Sequence, residues 1–169
     1  RVRDMIGDLM LFARPPEPQL ERVVWAEVVA SAAERCEPEW RQRRITLAGD
    51  RDPQAVIRAD RTQAAVVIEE LLRNATRAAP EGTAITINIR PESPDAQHSA
   101  VLEIMDEGCG LSATDQRHLF DPFYSGRQAG RGLGFGLTKC WRIVTGHGGC
   151  IHAENLSPGL RMTVHWPTA

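Results

Sequence analysis

Apolar residues recur every three or four positions in some stretches of the chain and every second position in others, and this alternation predicts most of its elements. Val2, Met5, Ile6, Leu9, Met10 and Phe12 form one helical face, which Arg14, Pro15, Pro16, Glu17 and Pro18 end. Residues 23–43 read as a short strand and then a helix, with Pro38 a candidate kink. Ile45, Thr46 and Leu47, and then Ala55, Val56 and Ile57, predict short strands around the turn residues Gly49, Asp50 and Pro53. Asp60 is a candidate N-cap with Gln63 at the capping-box position, opening a helix that runs to Ala79 and ends at Pro80, Glu81 and Gly82.

Ile85, Ile87 and Ile89 alternate with Thr86, Asn88 and Arg90, the pattern of a half-buried strand. A polar loop over 91–99 leads to a second strand over 101–106. Ser112 caps a short helix ending near Leu119. A glycine-rich segment, 126–136, precedes a helix over 137–145 that Gly148 and Gly149 end. The last strands, 150–154 and 160–166, flank a turn at Ser157, Pro158 and Gly159. Helices with hairpin-linked strands predict an α+β fold, a two-layer sandwich in which one mixed sheet is covered by helices on one face.

Composition narrows the function. The 169 residues suit one domain with a proper core, and 42% apolar with 25% charged residues is ordinary for a soluble protein. A net charge of -2 argues against broad electrostatic capture of nucleic acid. No apolar run reaches bilayer length, and the opening residues do not read as a signal peptide. Arg1 in place of Met suggests a piece of a longer protein. Cys36, Cys109, Cys140 and Cys150 form no C-x-x-C pair, so reduced thiols in the cytoplasm are expected.

Three stretches carry candidate chemistry. Glu70 and Asn74 lie four apart on one helical face, with Arg77 three further on. A bound Mg²⁺ with phosphate oxygens would partner that carboxylate and carboxamide; a polar patch meeting solvent is the other reading. Asp106 follows Leu102 and Ile104 at period two and shares their face. A carboxylate there needs donors, and the exocyclic amine of adenine is one; Gly108 and Gly110 would let backbone approach a flat base. A glycine turn beside a hydrogen-bonded Asp is the alternative. Gly130, Gly132, Gly134 and Gly136 open a helix, where backbone amides and the helix dipole favour phosphate. Arg127 and Arg131 bracket that loop and would neutralise phosphate charge; a solvated basic loop is the alternative. The segment is expected to order around nucleotide, with Phe120 and Phe123 pinning its base. Neither the dinucleotide fingerprint G-x-G-x-x-G nor a P-loop is present.

In order and spacing these stretches resemble the N, G1, F and G2 boxes of bacterial sensor histidine kinases, nitrogen-regulator-like in type. The N box is Glu70-Leu71-Leu72-Arg73-Asn74-Ala75 and the G1 box Asp106-Glu107-Gly108-Cys109-Gly110. The F box is Phe120-Asp121-Pro122-Phe123-Tyr124 and the G2 box Gly132-Leu133-Gly134-Phe135-Gly136-Leu137. His147-Gly148-Gly149 is similar to the family's helix-to-strand turn, and residues 9–15 to the end of its second dimerisation helix.

The resemblance implies a Bergerat fold over residues 21–169, with 1–20 the end of a dimerisation helix and a proline linker. It implies ATP and Mg²⁺, with Asn74 and Glu70 at the metal and in the catalytic role. Asp106, Gly108 and Gly110 would take adenine. Arg77, Arg127, Arg131, Gly132, Leu133, Gly134, Gly136 and Leu137 would take the rest of the nucleotide. The reaction implied is γ-phosphoryl transfer to a histidine on an upstream dimerisation and phosphotransfer domain. A response-regulator receiver domain is the implied partner, and a homodimer the implied state of the full-length protein. Glu70 departs from the family's usual Asn and leaves a related ATPase or serine-protein kinase open, as well as a nucleotide-binding regulatory module. None of His98, His118, His147, His152 and His165 sits in an acceptor motif, and each is expected to be structural.

Overall fold

The computed structural model describes residues 17–91, 99–122, 124 and 135–168. The expected helix over 1–13 and the glycine-rich segment up to Gly134 lie outside them. Strand β1 (Glu21–Val24) leads directly into α1 (Trp25–Gln42), whose Trp25, Val28, Val29, Ala32, Ala33 and Cys36 are buried at helical spacing. Pro38 lies inside α1 and does not end it. Pro38 and Glu34, the residue one turn before it, are both exposed, so water can take the carbonyl the proline leaves unpaired. Then come β2 (Thr46–Ala48), β3 (Val56–Ala59), α2 (Arg61–Ala78), β4 (Ala84–Pro91) and β5 (Ser99–Asp106). A short α3 (Ala113–His118), α4 (Gly136–Gly146), β6 (Cys150–Asn155) and β7 (Leu160–Pro167) complete the described chain.

Five strands form a sheet of order β2-β4-β5-β7-β6, in which β2 and β4 are parallel and the other pairs antiparallel. β1 and β3 make a separate antiparallel pair. The inward face of the large sheet carries Ile85, Ile87, Ile89, Leu102, Ile104, Val164 and Trp166, all buried in one core with residues of α1, α2 and α4. The outward face is polar. Across it Glu103 pairs with Arg90 at 3.4 Å, and Arg161 pairs with Glu154 at 3.2 Å. This is the expected α+β sandwich with one covered face.

Asp60 caps α2 as expected, its Oδ1 accepting from the Gln63 amide at 3.0 Å. The Asp60 amide itself donates to His147 Nε2 at 3.1 Å. His147, the C-cap of α4, is buried and donates from Nδ1 to the Ile143 carbonyl at 2.7 Å. That pair of bonds requires the neutral imidazole with its proton on Nδ1. The ring also packs on Trp166, 4.8 Å between centroids, and Trp166 meets Trp25 edge-on at 6.0 Å. One histidine therefore joins the end of α4, the start of α2 and the core aromatics.

Replacing His147 with Ala removes one buried and one partly buried hydrogen bond and part of that packing. The expected loss is about 2–3 kcal/mol, read as a lower urea midpoint with an unchanged far-ultraviolet spectrum. His147→Gln, which keeps an acceptor for Asp60, should recover part of it.

Candidate active site

The phase set at Asp60 decides what each residue of α2 meets. Val67, Ile68, Leu71, Leu72 and Ala75 enter the core, Glu70 and Asn74 are half-buried, and Arg77 is exposed. Glu70 Oε1 accepts from Lys139 Nζ at 2.8 Å, the two side chains being 20% and 7% exposed. Lys139 belongs to α4, so the pair ties the two helices together beside the site. Gly136, the first residue of α4, comes equally close: a Cβ there would lie 2.8 Å from Glu70 Oε2. The positive end of the α4 dipole thus stands against the Glu70 carboxylate. The N-cap, Phe135, brings no side-chain hydrogen bond to that first turn. Leu137 is half-buried against the core. Lys139 was missed in the sequence. Its signal was a cation beside Cys140, Ile143 and Val144 on the buried stripe of an amphipathic helix, which calls for an anion opposite.

Behind the end of α2 lies the loop after β5. Asp106 is 5% exposed, and its Oδ1 accepts from the Gly108 amide at 2.8 Å. Burial pushes its carboxyl above the usual carboxylate range, against the opposing pull of amide hydrogen bonds from Gly108 and Leu160. A Cβ on Gly108 would sit 2.7 Å from Asp106 Oδ1 and 2.8 Å from the Ala78 carbonyl, so the loop can seat on the helix end only with glycine there. Arg43 closes the same helix end, donating to the carbonyls of Arg77 at 3.2 Å and Ala79 at 2.8 Å. Glu107 and Cys109 are exposed. Gly110 takes φ +70, and Gly159 in the β6–β7 turn takes φ +109 where a side chain would strike the Asp106 carbonyl. Asn155, at the end of β6, clamps the loop, accepting from the Leu111 amide and donating to the Leu111 carbonyl, each at 2.8 Å. Nothing local in the sequence marks Asn155 as that clamp.

The F-box region leans on α3. Ser112 and Asp115 form a capping box, and Tyr124 donates its hydroxyl to Asp115 Oδ1 at 2.7 Å. The Ser112 hydroxyl and then the Tyr124 hydroxyl hold the Asp115 carboxyl below its ordinary range. Phe120 packs half-buried against the core as an anchor, while Phe123 lies outside the described residues. Arg127, Arg131, Gly132, Leu133 and Gly134 lie outside them too. The structure therefore brings Glu70, Gly136 and Lys139 together at one end of the site. At the other, Asp106 and Gly108 lie at the end of α2 by Ala78, and Gly110 follows beside Asn155 and Gly159.

Residues 59–169 match the histidine kinase-, DNA gyrase B- and HSP90-like ATPase family. The chain belongs to that family. Among curated relatives it is 32% identical over 160 residues to the C4-dicarboxylate transport sensor protein DctS of Rhodobacter capsulatus, covering 92% of this chain and 24% of the relative. It is 29% identical over 163 residues to the histidine-protein kinase AtoS of Escherichia coli, covering 96% of this chain and 26% of that one. It is 33% identical over 137 residues to the sensor protein KdpD of Clostridium acetobutylicum, covering 79% and 15%. The chain thus spans about a quarter or less of these relatives. The nucleotide-free catalytic domain of histidine kinase ThkA superposes with a TM-score of 0.78 at 23% identity, covering 89% of this chain and 96% of that one. ThkA in complex with the response regulator TrrA gives 0.81 at 20% identity, covering 100% and 48%. The fold of this family member is that of a histidine kinase catalytic domain, with the expected mixed sheet and covering helices.

Two outcomes follow for stability. Asp106 has a folded-state pKa above its unfolded value, so the native state loses stability as pH rises from the ordinary carboxylate range through the raised value. Asp106→Asn keeps an acceptor for Gly108 without the buried charge. The variant's urea midpoint should equal the parent's in acid, rise above it as pH increases, and then level off. Lys139→Met leaves Glu70 without its buried partner and should destabilise by about 2 kcal/mol, less than a fully buried pair because Glu70 retains some water. Glu70→Leu together with Lys139→Met should restore most of that loss, as a double-mutant cycle in urea would read.

Proposed function

We propose that this chain is the ATP-binding catalytic part of a two-component sensor histidine kinase, transferring the γ-phosphoryl group to a histidine on an upstream dimerisation domain. The observation that carries the reading is the buried Asp106 carboxylate under the end of α2, within the span of the family match. An acidic side chain held in so dry a place is a pre-paid acceptor for the exocyclic amine of adenine. Gly108 and Gly110 give the base its flat approach, and the α4 N-terminus at Gly136 is suited to phosphate. In this reading residues 1–20 are the end of a dimerisation helix and linker. Residues 21–169 are the catalytic domain, as the pairing of β1 with β3 from Glu21 supports.

The donor set fits Mg²⁺. Asn74 offers a carboxamide oxygen, and Glu70, one helical turn before it and bound through Oε1 by Lys139, adds negative charge beside it. Asn74, with Glu70 beside it, would hold the ion, which would neutralise the triphosphate. Arg77, at the exposed end of α2, and Arg127 and Arg131 would meet phosphate oxygens; Gly132, Leu133, Gly134 and Leu137 would line the nucleotide. Transfer forms a bond from a histidine nitrogen to the γ-phosphorus and breaks the bond to the bridging oxygen, leaving ADP. Such a step depends mostly on positioning and charge. The acceptor histidine, a receiver-domain partner, a homodimer and a cytoplasmic setting complete the proposal. Among the described residues no helix is long and apolar enough to cross a membrane.

The test is incubation with γ-labelled ATP and a separately supplied acceptor-helix domain. Acid-labile label on that domain's histidine is expected. Free phosphate, or label on serine, would point instead to the ATPase branch that Glu70 evokes, and nucleotide binding without turnover to a regulatory module. Asn74→Ala should lower transfer by about a hundredfold or more while the fold survives. Asp106→Asn should weaken ATP at least about tenfold by calorimetry.

A further inference from the structure

The outward face of the sheet ends, at β6 and β7, in a group of side chains that the nucleotide site does not use. Cys150 and His152 are two apart on β6, so both point outward, opposite the buried Ile151. His165 on β7 is the direct cross-strand partner of Cys150 and shares that face. One ligand atom from each of the three lies within 4.8 Å of the others. The rings of His152 and His165 meet edge-on, 5.9 Å between centroids.

We propose that Cys150, His152 and His165 form a binding site for a thiophilic divalent metal ion of the zinc class. A thiolate and two imidazoles are the ligands such ions prefer, whereas Mg²⁺ prefers oxygen. Tetrahedral zinc, about 2.0–2.1 Å from nitrogen and about 2.3 Å from sulfur, separates its ligand atoms by about 3.3–3.6 Å. Rotation of two exposed side chains, Cys150 and His152, closes the remaining gap while the backbone stays in register. The register itself supplies the preorganisation, because strands β6 and β7 are paired along their length from Cys150–His165 to Asn155–Leu160. Three protein ligands leave a fourth position for water or a partner's side chain. The ion would staple the hairpin whose far end, through Asn155 and Gly159, grips the loop after Asp106.

The experiment uses tag-free, chelator-treated protein titrated with Co²⁺ and then Zn²⁺. One equivalent of Co²⁺ should produce a thiolate-to-metal charge-transfer band in the near ultraviolet, and one equivalent of Zn²⁺ should abolish it. Saturating Mg²⁺ should leave it intact. Cys150→Ser should remove the band, and His152→Ala and His165→Ala should each weaken zinc at least about tenfold. Cys109→Ser, which alters the other exposed thiol, should change nothing. Asn74→Ala should also keep the band, which separates this site from the proposed nucleotide site. Far-ultraviolet spectra and urea midpoints of the metal-free variants check that each folds. The proposal is overturned if no charge-transfer band appears, if the band survives Cys150→Ser, or if both histidine variants bind zinc as the parent does.

Discussion

The azimuth of α2 is the constraint on which the rest of the molecule depends. A helix that buries Ile68, Leu71, Leu72 and Ala75 has no freedom left in where it puts Glu70, Asn74 and Arg77. That azimuth is held at both ends. Asp60 starts the helix and has its own amide bound by His147 across from α4, while Arg43 closes the other end through the Arg77 and Ala79 carbonyls. Rotating α2 by one residue would expose core leucine and bury Asn74 without a partner. The polar face is precise because the apolar face is packed.

Around Asp106 the burial of an acidic side chain works against stability. A carboxylate in that position is disfavoured by burial, and the amides of Gly108 and Leu160 offset only part of the penalty. The Gly108 and Leu160 amides reach its carboxyl, Gly159 of the β6–β7 turn lies against its backbone carbonyl, and the end of α2 seats on the neighbouring Gly108. Gly108 and Gly159 are fixed by those approaches, since a side chain at either collides with backbone.

The sequence made the local features legible and hid the ones made by distant partners. The Asp60 cap, the Ser112 cap and the alternation of Ile85, Ile87 and Ile89 rest on residues within one turn or one strand, and each appears where expected. The reciprocal half of the Asp60 capping box does not follow from spacing, because its amide bonds to a histidine 87 positions away. Pro38 lies inside α1 on a face that water reaches, which accommodates the carbonyl it leaves unpaired. The site residues could be ordered into boxes, whereas the Lys139–Glu70 pair and the Asn155 clamp depend on how α4 and β6 dock. Singly, His152 and His165 carry no motif that sets them apart from structural histidines. Only strand register sets them beside Cys150.

The Lys139–Glu70 pair bears on the role of the residue that departs from the family's usual Asn. A general base must have a free oxygen directed at the proton it takes and must be able to carry that proton. Here one Glu70 oxygen is occupied by an ammonium that is itself almost wholly buried, and the other lies at the first residue of α4. Without the Glu70 carboxylate that ammonium would be buried without its counter-charge. The arrangement fixes Glu70 between the Lys139 ammonium and the first turn of α4. On this argument Lys139 does for Glu70 what a neutral carboxamide would need no partner to do. Glu70 and the buried Lys139 form one electrostatic unit between α2 and α4.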